Sequence, residues 1–524
     1  MQVYSTEGRY QSGMKNYVQH GQFQHHSMTL LNPLTQFLNF FNTEPKTLVI
    51  DQSLTSTINY LIPFTKLQKT INISQVCWFA DILEATQGEV VFVIDSKLAN
   101  VEVLQRRIKE IGTTNVSVIL TSTFFKTFKY ELETNGTYLE LYNWELFVKD
   151  DIIPSFYHLN STIDLDQLYR FKAGDVSRLQ CLLLKLLSEN PRFVPNKIYH
   201  SHGEYSEALY KNFNKLYKQV DGLENSGLVT NLIIVERNFD LLRLVENNCD
   251  FINILQEYRS VQLNKIEAEE DIYFNDELWE LLKFMNFDTV CKYLNKEAKD
   301  LQAQYQSLKS KKGDLNIVND LNKLEAYKKL LIKYTNLCEK LISEIGVNSL
   351  DSNFNRFLDE LNNHQDTYAE AIQSLINQVE YSELEVKYII RLIFSVLIKF
   401  DIQEKDYNVL KAKLVERFGI QWFIVLDNIK TSYKPSTPLK SKLSMELILE
   451  SILTNTAIEN IKFTKRSNGR YVNVGKAKEN FIIVFIGGVT YTELKVINQL
   501  QEKGIEIVTL SDGVVSFVDR CISI

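Results

Sequence analysis

The chain has 524 residues, enough for about three domains of ordinary size. Hydrophobic residues make up 45% and charged residues 23%, enough apolar material to build cores and to exclude disorder as the main state. The net charge of −7 gives no basic field of the kind a nucleic-acid binder needs. The six cysteines are Cys77, Cys181, Cys249, Cys291, Cys338 and Cys521. They form no C-x-x-C spacing and sit among apolar neighbours, which reads as reduced, buried thiols of a cytosolic protein.

The first 28 residues are rich in Gln, His, Tyr and Gly and read as a disordered leader, not a signal peptide. His20, His25 and His26 have no companion ligand cluster, so a polar leader is the simpler reading than a metal site. From 29 to 153 the pattern is α/β. Thr47-Leu-Val-Ile-Asp51, Val90-Val-Phe-Val-Ile-Asp95 and Val116-Ser-Val-Ile-Leu120 are continuous apolar runs, with an amphipathic helix over 101–111 between the second and third. Such runs are strands of a parallel sheet covered on both faces.

A second α/β signal covers 154–261, with Leu232-Ile-Ile-Val-Glu236 as a strand. It resumes over 431–524 with Phe481-Ile-Ile-Val-Phe-Ile486 and Glu506-Ile-Val-Thr-Leu510. The late strands make a poor domain alone, so the two segments are expected to share one sheet, since an unpaired buried strand leaves its backbone groups unsatisfied. Between them, 262–430 reads as helical. Apolar residues from Ile317 through Leu324, Leu331 and Cys338 to Ile345 mark a long amphipathic helix, preceded by a turn at Gly313-Asp314 and stopped at Gly346. An earlier helix over 276–309 is expected to fold back against it as a hairpin. Its stripe serves either as core or as a groove for another helix. The run 388–400 carries Arg391 and is too short to span a bilayer, which leaves membrane association to partners. Ser382-Glu-Leu-Glu385 has the spacing of a capping box.

Two segments tempt a nucleotide reading. Gly487-Gly488-Val-Thr490-Tyr-Thr-Glu493 follows a strand and opens a helix, but lacks the third glycine of the dinucleotide fingerprint. Its Thr490 and Glu493 have capping-box spacing, which would put a carboxylate where a phosphate should sit. Gly469-Arg-Tyr-Val-Asn-Val-Gly475-Lys476-Ala477 has one residue too many for a P-loop and Ala477 at the Mg²⁺ position. Glu236-Arg237-Asn-Phe-Asp240 at a strand end is either an acid–base site or, more simply, an ion-pair network. No serine elbow, H-E-x-x-H or catalytic cysteine setting is present. The expectation is a protein without cofactor, metal site or enzymatic activity.

Taken in order, these segments resemble the SM family of SNARE regulators. Lys46-Thr-Leu-Val-Ile-Asp51-Gln-Ser-Leu54 is similar to the family's first strand and loop, and Glu131-Leu-Glu133-Thr-Asn-Gly136-Thr-Tyr138 to its "LEE-x-G-x-Y" stretch. Leu232-Ile-Ile-Val-Glu236-Arg237-Asn-Phe-Asp240 resembles the "DR-x-x-D-x-x-T-P" signature, with Glu236 for Asp and Arg243-Leu244 for Thr-Pro. Asp276-Glu-Leu-Trp279 resembles the opening of its helical domain. Gly174-Asp175-Val-Ser177-Arg-Leu179 and Gly487-Gly488-Val-Thr490 with Glu493 resemble the vacuolar branch. The resemblance implies an arch of two parallel-sheet α/β domains, the second discontinuous, with an all-α domain inserted in it. It implies binding of SNARE proteins, of syntaxin-type and R-type motifs, to template their assembly in vesicle docking and fusion. For the vacuolar branch it implies a subunit of the HOPS and CORVET tethering complexes, docked on a large tether subunit and peripheral on vacuole or late-endosome membranes. The alternatives are another SM branch and a nucleotide-binding enzyme. Within the hairpin, Lys311, Lys312, Lys323 and Tyr327 are the candidate SNARE-binding residues.

Overall fold

The computed structural model describes residues 34–515 except for connecting segments, the longest being 161–172, 218–228, 433–444 and 466–478. The leader with His20, His25 and His26, the 469–477 connection, and Lys311 and Lys312 lie outside the described residues.

The first sheet is wholly parallel. Its spatial order is Ile73–Trp78, Lys46–Ile50, Glu89–Ile94, Val116–Leu120 and Glu140–Asn143. Val49, Phe92 and Val118 face one core and Leu48, Val91 and Ile119 the other, which is why these strands are apolar without alternation. The helix Ala99–Ile111 seals one face through Val101, Leu104 and Ile111. The two outer strands escaped the sequence reading because Ile73–Trp78 is half exposed and Glu140–Asn143 carries polar ends.

The second sheet has seven strands. In order they are Ile461–Lys465, Lys197–Ser201, Val229–Glu236, Glu479–Ile486, Glu506–Ser511, Phe156–His158 and Val148–Lys149. The inner five are parallel and the two edge strands antiparallel. Strands from both ends of the chain are interleaved, with Leu232 opposite Ile482 and Glu236 opposite Ile486. The expected shared sheet is therefore present. Val148–Lys149 already belongs to it, so the chain crosses between sheets before the expected boundary at 153.

The inserted region is not uniform. It opens with a small antiparallel sheet of Val261–Gln262, Lys265–Ile266 and Ile272–Tyr273. The expected helix over 276–309 is two helices, Glu277–Leu282 and Phe287–Ser310. It breaks because the carbonyls of Lys283 and Met285 accept the Ile252 and Phe251 N–H groups, at 3.0 and 2.9 Å. The long helix runs Asn316–Val347 and packs antiparallel to Phe287–Ser310 as the expected hairpin. Ser382 does not open a helix. It closes Tyr368–Tyr381, its hydroxyl donating to the Gln378 carbonyl at 2.6 Å, and the next helix starts at Val386. The capping box belongs instead to Thr367 and Glu370, at the start of Tyr368–Tyr381.

Two cores serve this insertion. The hairpin base shares one with a face of the second sheet, joining Leu331, Tyr334, Leu337 and Leu341 to Phe251, Ile233 and Phe481. Helices between 368 and 426 form the other, reached from the second domain by Leu241, Leu244 and Val515.

His158 tests the second sheet. It is buried, stacks on Phe156 at 5.2 Å, and its Nδ1 accepts the Asn160 N–H at 3.1 Å. Burial holds its imidazole at about 4, below the ordinary 6.5. The unfolded chain then takes up a proton that the fold refuses, so stability is full above about pH 6.5 and falls toward pH 4. At pH 5 the loss is expected to be about 2 kcal/mol. Urea unfolding at pH 7 and pH 5 should show that His158→Asn, which keeps an acceptor, loses less stability than the parent. Equal losses would show that the imidazole is charged in place.

Candidate functional site

The two sequence segments that looked most like sites meet in the structure. Val229–Glu236 and Glu479–Ile486 are neighbouring strands, so the residues after their C-terminal ends come together. Arg237 donates to both carboxylate oxygens of Glu493, at 2.7 and 2.8 Å. It also donates to the carbonyls of Asp240 at 3.0 Å and Gly488 at 3.4 Å. Both partners are fully buried. Burial alone would discharge Glu493, but the Arg237 charge and hydrogen bonds outweigh it and hold the carboxyl below the usual carboxylate range. Glu493 also accepts the Thr490 N–H and hydroxyl, both at 2.9 Å, completing a capping box on the helix Tyr491–Glu502. Asp240 pairs with Arg243 at 3.3 Å.

Glu236 serves a different helix. Its carboxylate accepts the Tyr205 and Ser206 N–H groups, both at 3.1 Å, at the start of Glu204–Tyr217. Burial raises its carboxyl despite these bonds. A Cβ on Gly203 would stand 2.1 Å from a Glu236 oxygen, so the glycine makes room for the longer acid at this position.

The places where α/β sheets hold phosphates are occupied by the chain itself. Gly487 and Gly488 have φ of 90° and 91°, and their N–H groups donate to the Asp512 carboxylate at 2.8 and 2.7 Å. In the first sheet, whose order is that of a doubly wound fold, ligands would sit where the strand order reverses. There Asp51 accepts the Ser53 N–H at 2.9 Å and the Asn100 amide at 3.2 Å. Asp512 and Asn100 were not singled out in the sequence. Only the returning loops show that they complete these turns.

The hairpin is the candidate binding surface. Leu331, Tyr334, Leu337, Cys338 and Leu341 of the expected stripe are buried core, the leucines contributing about 1.5–3 kcal/mol apiece. Among the described residues, none beyond Leu294 in the first helix or before Leu331 in the second is fully buried. The 16 residues from 295 to 310 thus run about 24 Å beyond the last fully buried position of that helix, although Leu301 and Tyr327 still pack against the margin of the core. Leu301, Leu321, Leu324 and Tyr327 line the inner seam as half-buried residues. Tyr327 spends its hydroxyl there, donating to Glu297 at 2.9 Å, and burial with that bond pushes its pKa up. Lys323 and Tyr305 are exposed along the outer faces.

The Sec1 family profile matches residues 46–519. The chain belongs to the Sec1 family. This SM protein is 30% identical over 215 residues to vacuolar protein sorting-associated protein 33 of Saccharomyces cerevisiae, a stretch covering 39% of this chain and 31% of that protein. Its fold matches the SM protein Vps45 in complex with the Qa SNARE Tlg2, with a TM-score of 0.64 at 13% identity over 91% of this chain and 93% of that one. It also matches the Unc18–syntaxin 1 complex from Monosiga brevicollis, with a TM-score of 0.62 at 14% identity over 93% and 97%. No helix among the described residues is long and apolar enough to cross a membrane.

The buried pair makes a stability prediction for this SM protein. Glu493→Gln leaves Arg237 charged and uncompensated, and should cost about 3–5 kcal/mol in chemical denaturation. Replacing the pair together, as Arg237→Met with Glu493→Leu, should cost less than the single change. A second prediction concerns the glycine turn: calorimetry with Mg-ATP should give no saturable heat, and a micromolar site, worth about −8 kcal/mol, would overturn that.

Proposed function

We propose that this SM protein binds SNARE motifs along the outer faces of the hairpin and templates their assembly in membrane fusion. The observation that carries the reading is that the hairpin outruns its own core. A projecting pair of helices costs chain entropy without repaying it in burial, unless another helix completes it. SNARE motifs suit that role, because a segment disordered alone loses less entropy when it orders against a preformed helical surface. The SM structures that share the fold include complexes with Qa SNAREs and syntaxin, which supports the same partner class. Lys311, Lys312, Lys323 and Tyr327 are proposed to flank the bound motif, with Tyr327 acting through the seam with Glu297.

We further propose that the protein works at the vacuole or late endosome as the SM subunit of a HOPS- or CORVET-type tether. The likeness to the yeast vacuolar protein supports this branch. No enzymatic step is part of the proposal.

Two measurements test it. In the full chain, Lys323→Glu combined with Tyr305→Ala should weaken binding of vacuolar SNARE motifs about tenfold, or about 1.4 kcal/mol, while leaving thermal stability unchanged. A folded variant that binds as tightly as the parent would make the hairpin mere scaffold. Affinity purification of the tagged chain should bring down large tether subunits. Recovery of a syntaxin alone would assign it to another SM branch.

A further inference from the structure

Besides its apolar core and the Arg259–Glu344 pair, the base of the hairpin is tied down by a polar node. Asp276 accepts the Tyr334 hydroxyl and the Lys333 ammonium, both at 2.8 Å, while its other oxygen accepts the Trp279 N–H at 2.9 Å. Lys333 also donates to the Tyr273 carbonyl. Around the node, Phe274 stacks on Trp279 at 4.4 Å, and Trp279 lies parallel to Tyr334 at 6.3 Å. The hairpin is thus also tied to residues at the end of the small antiparallel sheet.

The other end of that sheet touches the first domain. Val261–Gln262 and Lys265–Ile266 are joined by Leu263 and Asn264, both left-handed, with φ of 51° and 57°. Two central residues with positive φ match the twist of a two-residue hairpin, but a leucine adopts that conformation only at a cost. Asn264 is held from both sides. Its carbonyl accepts the Phe274 N–H at 2.8 Å, and its amide donates to the Tyr60 hydroxyl at 3.0 Å. Tyr60 lies in the first-domain helix Thr55–Leu61. A continuous path thus runs from Tyr60 through Asn264 and Phe274 to Tyr334.

Among the described residues, no hydrophobic cluster spans the first sheet and the second. Other bonds across this seam include Asn160 donating to the Thr57 hydroxyl at 3.0 Å and Arg178 to the Leu146 carbonyl at 3.0 Å. Polar seams of this kind permit domains to shift as units.

We propose that the small antiparallel sheet couples the position of the first domain to the direction of the hairpin, with Tyr60, Asn264 and Tyr334 as positioning residues. A shift of the first domain pulls on Asn264, and the pull reaches the Asp276 node through Phe274. The consequence for SNARE binding rests on the hairpin being the binding surface. The coupling itself does not.

Hydrogen–deuterium exchange on the full chain tests it. Tyr60→Phe removes one hydroxyl, and Asn264→Gly removes the amide while keeping the left-handed backbone. Each should raise exchange about fivefold or more in peptides covering 327–341, although Tyr60 lies in another domain. Tyr334→Phe should do the same, and its combination with Tyr60→Phe should add little, as expected for residues acting through one element. Exchange raised only in 55–61 and 261–266 would overturn the coupling, whatever SNARE binding does. Exchange that spreads to 327–341 while SNARE-motif affinity stays unchanged would uphold the coupling and refute the hairpin as binding surface.

Discussion

Arg237 and Glu493 are 256 residues apart in the chain, yet they share two short hydrogen bonds in an interior that neither side chain leaves. The chain leaves the second sheet at Glu236, rejoins its edge at Ile461–Lys465 only after the whole helical insertion, and returns beside Val229–Glu236 at Glu479. Closing so long a loop costs little more entropy than closing a short one, because the cost grows with the logarithm of length. What the return needs is specification. The central pairing of Val229–Glu236 with Glu479–Ile486 supplies the apolar part, with every residue from Leu232 to Val235 and from Phe481 to Ile486 buried. The ion pair supplies direction and register, since a slip of one residue would bury an uncompensated charge.

The same logic recurs at each strand end. Glu236, Asp512 and Asp51 each fill a turn or helix N-terminus with a carboxylate from the chain itself. A sheet of this class ordinarily offers such places to an anionic ligand. Here they tie returning loops to the sheets, and the projecting surface lies on the helices inserted between them.

The insertion divides its work between two cores. One holds the base of the hairpin against the sheet, and the other holds the helices between 368 and 426. The seam between them is largely polar. Arg391 pairs with Glu257 at 2.7 Å, and the hydroxyls of Tyr258 and Tyr388 meet at 3.1 Å. Buried polar seams fix orientation more than they add stability. The hairpin is therefore buried at its base and, among the described residues, only half-buried or exposed between Leu294 and Leu331, a combination that suits transient partners.

The sequence by itself determined the parts with a strong local period. Continuous apolar runs gave the central parallel strands, the three- and four-residue stripe gave the long helix, and Thr490 with Glu493 gave a cap, because each signal is local and repeated. The order of the motifs along the chain points to the SM family. Short flanking strands such as Lys197–Ser201 and Phe156–His158 escaped, since short strands with polar members resemble loops. The break at 283–286 escaped because it is set by Phe251 and Ile252, distant residues that claim the local carbonyls. Tertiary structure alone decided that Arg237 faces Glu493, that Asp512 fills the glycine turn, and that Tyr60 reaches Asn264. Each of these pairs joins segments with no periodic relation in sequence, and only the packing of the sheets brings them within hydrogen-bond distance.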